Sequence, residues 1–378
     1  MLKVFVFHLM PWPFLKEELA WPYPNRLFDP TQGQRLYQEY IDELVLAEEL
    51  GYDAICFNEH HFTAYGLMPS PNLIVSALAV KTKKIRLAIF GNAIPLRGQP
   101  LRVAEEIAMI DVLSGGRVIS GFVRGIPSEY FAYNINPGES RPRFQEAWDF
   151  IVKAWTEEEP FDWDGKFWKY KNVSIWPRPL QKPHPPLWMP AESSESIEYA
   201  ATKRVPVSRV YVPTADMKES FDYYRDFAQK IGWTPTPDYF MPLRHIYVAE
   251  TMEQARRESE KHLEYFYKYL VSGTYRSPIR QAAEAQGYRT EKSYAYSTQA
   301  KVDKGARYAN FTFEEFQKAG DIIVGDPSYV ADEIKQQKKE LGANTILGFF
   351  QFGSMPHDLV VKNLKLFSQE VLPKVHNL

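Results

Sequence analysis

AICFNEHHFTAYGL, residues 54–67, joins a short apolar run to a cluster of three polar side chains. The run AICFN reads as a buried strand that delivers Glu59, His60 and His61 at its far end. Seven more runs of this kind follow along the chain: KVFVFHL (3–9), IRLAIF (85–90), RVISGFV (117–123), PLWMPA (186–191), VSRVYV (207–212), LRHIYVA (243–249) and NTILGFFQF (344–352). Helical periodicity lies between them. In 35–50, Leu36, Tyr40, Leu44 and Ala47 share a face before Gly51. Residues 101–113 are opened by Pro100 and closed by Gly115 and Gly116, and 142–157 set Phe144, Trp148, Ile151 and Trp155 in register. Strands alternating with helices predict a parallel sheet of βαβ units. Eight strands over 378 residues favour one α/β domain, a (β/α)8 TIM barrel spanning 1–378, over an open doubly wound sheet. The first βα turn also lacks the GxGxxG pattern.

Lys+Arg 45 against Asp+Glu 47 leaves a net charge of -2 without a basic stripe, so nucleic acid and membrane surfaces are not expected partners. The single cysteine, Cys56, excludes an internal disulfide framework and any multi-cysteine metal site. MLKVFVFHLMPWPF, at the start, is broken by His8 and Pro11 and reads as a strand rather than a signal segment, and no apolar stretch approaches the ~20 residues needed to cross a bilayer. A soluble, cytoplasmic protein acting on small molecules is expected.

Three connections exceed ordinary loop length. Residues 10–34, rich in Trp, Pro and Phe, and residues 271–320, polar with scattered tyrosines, follow strands and are expected at the barrel mouth, as a lid over a largely apolar pocket. Residues 159–186 precede a strand instead and are expected at the opposite end, in a packing role.

Strand parity divides the opening stretch. Ala54, Cys56, Asn58 and His60 share one face; Ile55, Phe57, Glu59 and His61 share the other. Bulky apolar side chains suit the helix-facing side of a barrel strand, which turns His60 inward at the mouth and leaves Glu59 and His61 toward the packing side. An inward histidine suits acid/base work because its ordinary pKa is about 6.5; the bland alternative is a satisfied core histidine. Adjacency argues against a metal site, and no HExxH is present. In IFGNAIPLRGQP (89–100) the backbone turns at Gly91 and Asn92 and can approach a ligand closely. Arg124 ends the fourth strand, Arg141 closes ESR (139–141), and PAESSES after the fifth strand starts a helix. Two arginines and a Ser-rich helix start suggest a phosphate-bearing cofactor, with Ser193 or Ser194 as a plain N-cap the simpler reading.

EHHFTAYGL, SGGRVISGFVRG, ESR with PAESSES, and GDPSYVADEI with LGANTILGFFQFG stand in an order and spacing that resembles the bacterial luciferase-like flavin monooxygenases, above all their luciferase α-type members. The likeness runs from the first strand to the last helix. It implies that reduced FMN binds at the mouth and reacts with O2 to give a C4a-hydroperoxide that oxygenates an organic substrate. Carried over by position, His60 matches the histidine beside the reacting flavin edge. Arg124, Arg141, Glu192, Ser193 and Ser196 match phosphate-side positions, and Ile126 matches a flavin-contacting backbone position. Gly91 and Asn92 match a pair joined by a non-prolyl cis peptide, and 271–320 matches a mobile active-site loop. The resemblance further implies reduced flavin supplied by a separate NAD(P)H:flavin reductase, since no second nucleotide-binding domain is evident, and a dimer, here expected to be a homodimer. Light-emitting members carry a cysteine just before the matched arginine, where this chain has Val123. Trp12, Phe14, Trp21, Tyr23 and Phe28 suggest an apolar substrate. The family's other branches make an F420-dependent oxidoreductase, or a non-catalytic flavin-binding partner subunit, the alternatives.

Overall fold

The computed structural model describes residues 1–275, 277–297 and 304–377. Its centre is a closed barrel of eight parallel strands: β1 (Lys3–His8), β2 (Ala54–Phe57), β3 (Arg86–Ile89), β4 (Val118–Val123), β5 (Leu187–Pro190), β6 (Val207–Arg209), β7 (Phe240–Val248) and β8 (Thr345–Phe349). Neighbours in the chain pair in register from β1 through β8, and β8 returns to β1 with Val6 opposite Gly348. All eight expected runs are therefore barrel strands.

Side-chain volume closes the barrel interior. Trp188 on β5 donates from Nε1 to the Ile89 carbonyl on β3 at 2.6 Å. It passes over Gly121 of β4, where a Cβ would lie 2.5 Å from Trp188 Nε1 and 2.3 Å from the Ile89 oxygen, so only glycine fits. Outside the barrel, helices Pro30–Glu49, Pro100–Ser114 and Ser140–Thr156 bury the apolar faces read from the periodicity, including Leu36, Tyr40 and Leu44 on the first and Phe144, Trp148 and Trp155 on the third.

Boundaries differ where a local signal outweighs periodicity. The first helix begins at Pro30, inside the stretch expected as loop, because Asp29 caps it by accepting from Thr31 N and Gln32 N and Pro30 fits the first helical position. Strand β6 stops at Arg209, and Tyr211 takes a left-handed backbone with φ 53°. An additional strand, Ile322–Gly325, pairs with His245–Val248 of β7. The segment read as an aperiodic lid is mostly helical where described, with Ser272–Tyr275, Pro278–Ala285, Lys304–Ala309 and Phe313–Lys318; its residues 276 and 298–303 lie outside the described residues. The 159–186 connection holds a two-stranded hairpin, Phe161–Asp164 with Lys169–Val173, whose turn donates three backbone N–H groups to Glu146 on helix Ser140–Thr156.

Candidate active site

The C-terminal ends of the first six barrel strands open into one cavity. Phe7 follows from β1, Asn58 to His60 from β2, Phe90 and Gly91 from β3, Val123 to Ser128 from β4, Pro190 to Ser193 from β5 and Ser208 to Tyr211 from β6. This is the end at which barrel strands hand over to loops, so side chains converge there without disturbing the core.

At one side stands His60, whose Nδ1 lies 3.2 Å from Glu129 Oε1. Glu129 is buried; it also accepts from the backbone N–H of His61 at 3.2 Å and of Ile126 at 2.8 Å. A carboxylate accepts, so in the tautomer with its proton on Nδ1 His60 donates to Glu129 and Nε2 is the ring nitrogen left without a proton. The Tyr65 ring meets the imidazole edge-on at 4.7 Å, and Tyr65 OH donates to Tyr211 OH at 3.0 Å. Glu59 borders the cavity, but its carboxylate points away from it, as the strand parity expects: it accepts from Arg97 at 2.7 Å and lies 2.9 Å from His61 Nε2, and neither partner lines the cavity.

The other side is cationic. Arg124 NH1 donates to Ser140 Oγ at 3.1 Å and to the Tyr288 carbonyl at 2.8 Å, with its guanidinium 4.1 Å above the Tyr288 ring. Arg141 reaches Ser193 Oγ at 3.4 Å and Glu195 at 3.5 Å; burial first, then Arg124, lowers its pKa. Ser193 caps helix Ser194–Lys203 by accepting from Ser196 N, and its Oγ is 3.0 Å from Ser196 Oγ. Burial pushes the Glu192 carboxyl up, yet Lys304, Arg209 and Arg289 outweigh it and hold it well below the ordinary range. The same burial brings Lys304 down to about 8 against the attraction of Glu192.

The 271–297 stretch is pinned to this cationic side. Ser194 N donates to the Ser293 carbonyl at 2.8 Å, Thr290 Oγ1 to Glu195 at 2.7 Å and Tyr296 OH to the Glu192 carbonyl at 2.8 Å. Tyr275, Arg280, Tyr288, Arg289 and Tyr294 from this stretch line the cavity.

Of the residues singled out from sequence, His60, Gly91, Arg124, Ile126, Glu192, Ser193 and Ser196 line the cavity, and Arg141 backs it through Ser193. Asn92 does not line it: it is buried in the short pairing of Asn92–Ala93 with β4, and its Oδ1 accepts from Arg97 at 3.3 Å. The cis peptide expected between Gly91 and Asn92 is also not found; the cis bonds of the described residues precede Pro22, Pro177 and Pro183. Gly91 instead accommodates Val123, whose Cγ1 would lie 2.0 Å from an added Cβ. Glu129, Arg209, Tyr288 and Arg289 escaped the sequence reading. For Glu129 a signal existed: GIPSE places proline at the first and glutamate at the third position of helix Pro127–Ala132, a helix-start pattern. Tyr288 and Arg289 carry no comparable local mark.

A family model described as luciferase-like monooxygenase matches residues 19–345. The oxygenase component of the flavin-dependent trigonelline monooxygenase of Acinetobacter baylyi is 29% identical over 251 residues, 65% of this chain and 68% of that protein. The alkanal monooxygenase alpha chain of Photorhabdus luminescens is 25% identical over 333 residues, 87% of this chain and 88% of that one. Among solved structures, monooxygenase RslO1 from Streptomyces bottropensis superposes with a TM-score of 0.76 at 26% identity, covering 100% of both chains.

Proposed function

The chain belongs to the luciferase-like monooxygenase family, and we propose that it is an FMN-dependent oxygenase that receives reduced flavin from a separate NAD(P)H:flavin reductase and uses O2 to oxygenate a small apolar organic molecule. One observation carries this: a phosphate-type cradle and a carboxylate-held histidine face the same cavity. The cradle is Arg124, Ser193 and Ser196, with Arg141 behind Ser193. Its donor set fits a phosphate monoester, with guanidinium groups and hydroxyls. The cavity also keeps unused polar atoms: Asn58 Oδ1, Ser128 Oγ and Ser208 Oγ are buried without a protein partner, which suits a ligand rich in hydrogen-bonding groups.

Reduced flavin, when bound, supplies the electrons for the reaction of O2 with the organic substrate. The protein's own groups do the rest. Arg124 and Arg141 neutralise and orient the phosphate, while the stretch carrying Tyr288 and Arg289 covers it. Glu129 holds the His60 ring so that Nε2 gives or takes a proton at the reacting edge. Side chains from 271–297 act as the lid that keeps water off the reaction.

A homodimer completes the proposal. Leu73 and Val80 on helix Pro71–Lys81 and Met109, Val112 and Leu113 on helix Pro100–Ser114 are exposed, and these two helices pack side by side, so one apolar face is left bare.

The test is anaerobic titration of the protein with FMNH2 and separately with reduced F420, followed by mixing with O2 while flavin absorbance is recorded. FMNH2 is expected to bind in preference to F420, and to reoxidise more slowly than free flavin. Selective F420 binding, or reoxidation at the free-solution rate, refutes the proposal.

A further inference from the structure

A second cavity lies on the far side of His60. Its walls come from the first mouth loop and the segment after β2, chiefly Trp12, Trp21, Tyr23, Phe28 and Phe62, and His60 is the one residue that lines both cavities among those described. The chemistry changes across that ring. Four arginines and two glutamates line the main cavity, whereas no Asp, Glu, Lys or Arg lines the second. A chamber without fixed charge gives no ion-pair partner to an anion or a cation, and its aromatic walls favour apolar surface, with the indole N–H groups of Trp12 and Trp21 buried and unpartnered in the protein.

The chamber is built rather than incidental. Trp12 is held between Phe14 and Phe28, with ring centroids 5.0 and 4.8 Å away, and its backbone N–H donates to the Ala64 carbonyl at 2.9 Å. Tyr37 OH donates to the Leu67 carbonyl at 2.5 Å. Phe62 is an exposed aromatic residue with φ 56°, in the left-handed region that side chains of its size seldom occupy. Its ring nevertheless sits at the rim, against Tyr133 at 5.5 Å. At the partition, Gly66 packs against both the Leu9 carbonyl, 3.0 Å from where a Cβ would lie, and His60, whose Cβ and Cδ2 would lie 3.8 and 3.9 Å from it.

From this we infer that the aromatic chamber binds the uncharged, apolar co-substrate, and that it reaches the flavin cavity past His60. The assignment rests on the functional reading above for what occupies the main cavity. It follows from geometry that the two ligands need not share a door. The 271–297 stretch ties down the cationic side, so a molecule arriving after the flavin enters through the chamber, and the histidine at the partition touches both reactants.

Equilibrium dialysis of the full-length protein with naphthalene, and with 2-naphthoate as its charged counterpart, tests this. Naphthalene is expected to bind roughly tenfold or more tighter than 2-naphthoate, and saturating FMN leaves its affinity within about twofold. Ala64→Trp fills the chamber and is expected to weaken naphthalene roughly tenfold while FMN affinity stays within about twofold. Ala132→Trp, at an exposed position on the rim, makes the same test without burdening the core. Displacement of naphthalene by FMN, preference for 2-naphthoate, or unchanged binding in both variants overturns the inference. Loss of FMN binding in the wild type with naphthalene binding still sensitive to Ala64→Trp counts against the functional reading and for the chamber.

Discussion

Glu129 Oε1 lies 3.2 Å from His60 Nδ1, and the same buried carboxylate accepts the backbone N–H groups of His61 and Ile126. One side chain thus fixes both the ring and the two loops that carry it. Glu129→Gln keeps the shape and removes the charge; turnover is expected to fall about tenfold with little change in FMN affinity. Glu129→Ala leaves buried donors unpaired, at about 1–3 kcal/mol each, and is expected to lower the denaturant midpoint as well. Steady-state kinetics, FMN titration and urea unfolding separate these effects. Equal turnover in Glu129→Gln and wild type would remove Glu129 from the mechanism.

Arg124 makes no ion pair within 4 Å of a carboxylate among the described residues, so its charge is available to a phosphate. Arg124→Met is expected to weaken FMN by roughly 10–100-fold and to leave riboflavin, which lacks the phosphate, nearly unaffected. Comparative fluorescence titration of the two flavins gives the answer. A parallel loss for both would mean that Arg124 serves the fold and not the phosphate.

Gly91 and Val123 are coupled by space. An alanine Cβ at 91 would lie 2.0 Å from Val123 Cγ1 and 3.0 Å from Cγ2. Gly91→Ala is expected to destabilise the protein by about 1–3 kcal/mol, and adding Val123→Ala to recover part of that. Additive losses in a double-mutant cycle of thermal unfolding are the outcome that rejects the steric account.

The exposed apolar face of helices Pro71–Lys81 and Pro100–Ser114 predicts self-association. Sedimentation is expected to give twice the chain mass of 43.9 kDa, and Leu73→Glu combined with Met109→Glu to return it to one. A monomeric wild type at micromolar concentration would exclude the homodimer.

Outside the cavity lining, Glu43 is buried between two histidines, with His8 Nε2 at 3.0 Å and His357 Nδ1 at 2.9 Å. The hydrogen bond to Glu43 raises the His357 pKa above its ordinary 6.5. A raised histidine adds stability that is fully present below the unfolded value and is lost as pH rises through the folded value. The gap in urea midpoint between wild type and His357→Asn is therefore expected to be widest below pH 6.5 and to close above it. A gap that widens toward alkaline pH would contradict the pairing.

The barrel was legible in the chain because eight short apolar runs and the helices between them are each marked locally, by periodicity and by Pro and Gly at their ends. The mouth was legible too: His60, Arg124 and Ser193 stand within three residues of a strand end, and parallel strands in a barrel all deliver their ends to one rim. Tertiary structure alone decided the partners. Glu129 meets His60 across 69 positions of chain and Arg124 meets Tyr288 across 164. Nothing in the spacing of those residues announces contacts of that length. It also decided that one histidine lines both a charged cavity and an uncharged one. Local order follows from the alternation of side chains along the backbone; the site follows from closure of the barrel, which brings loops distant in sequence around a common axis.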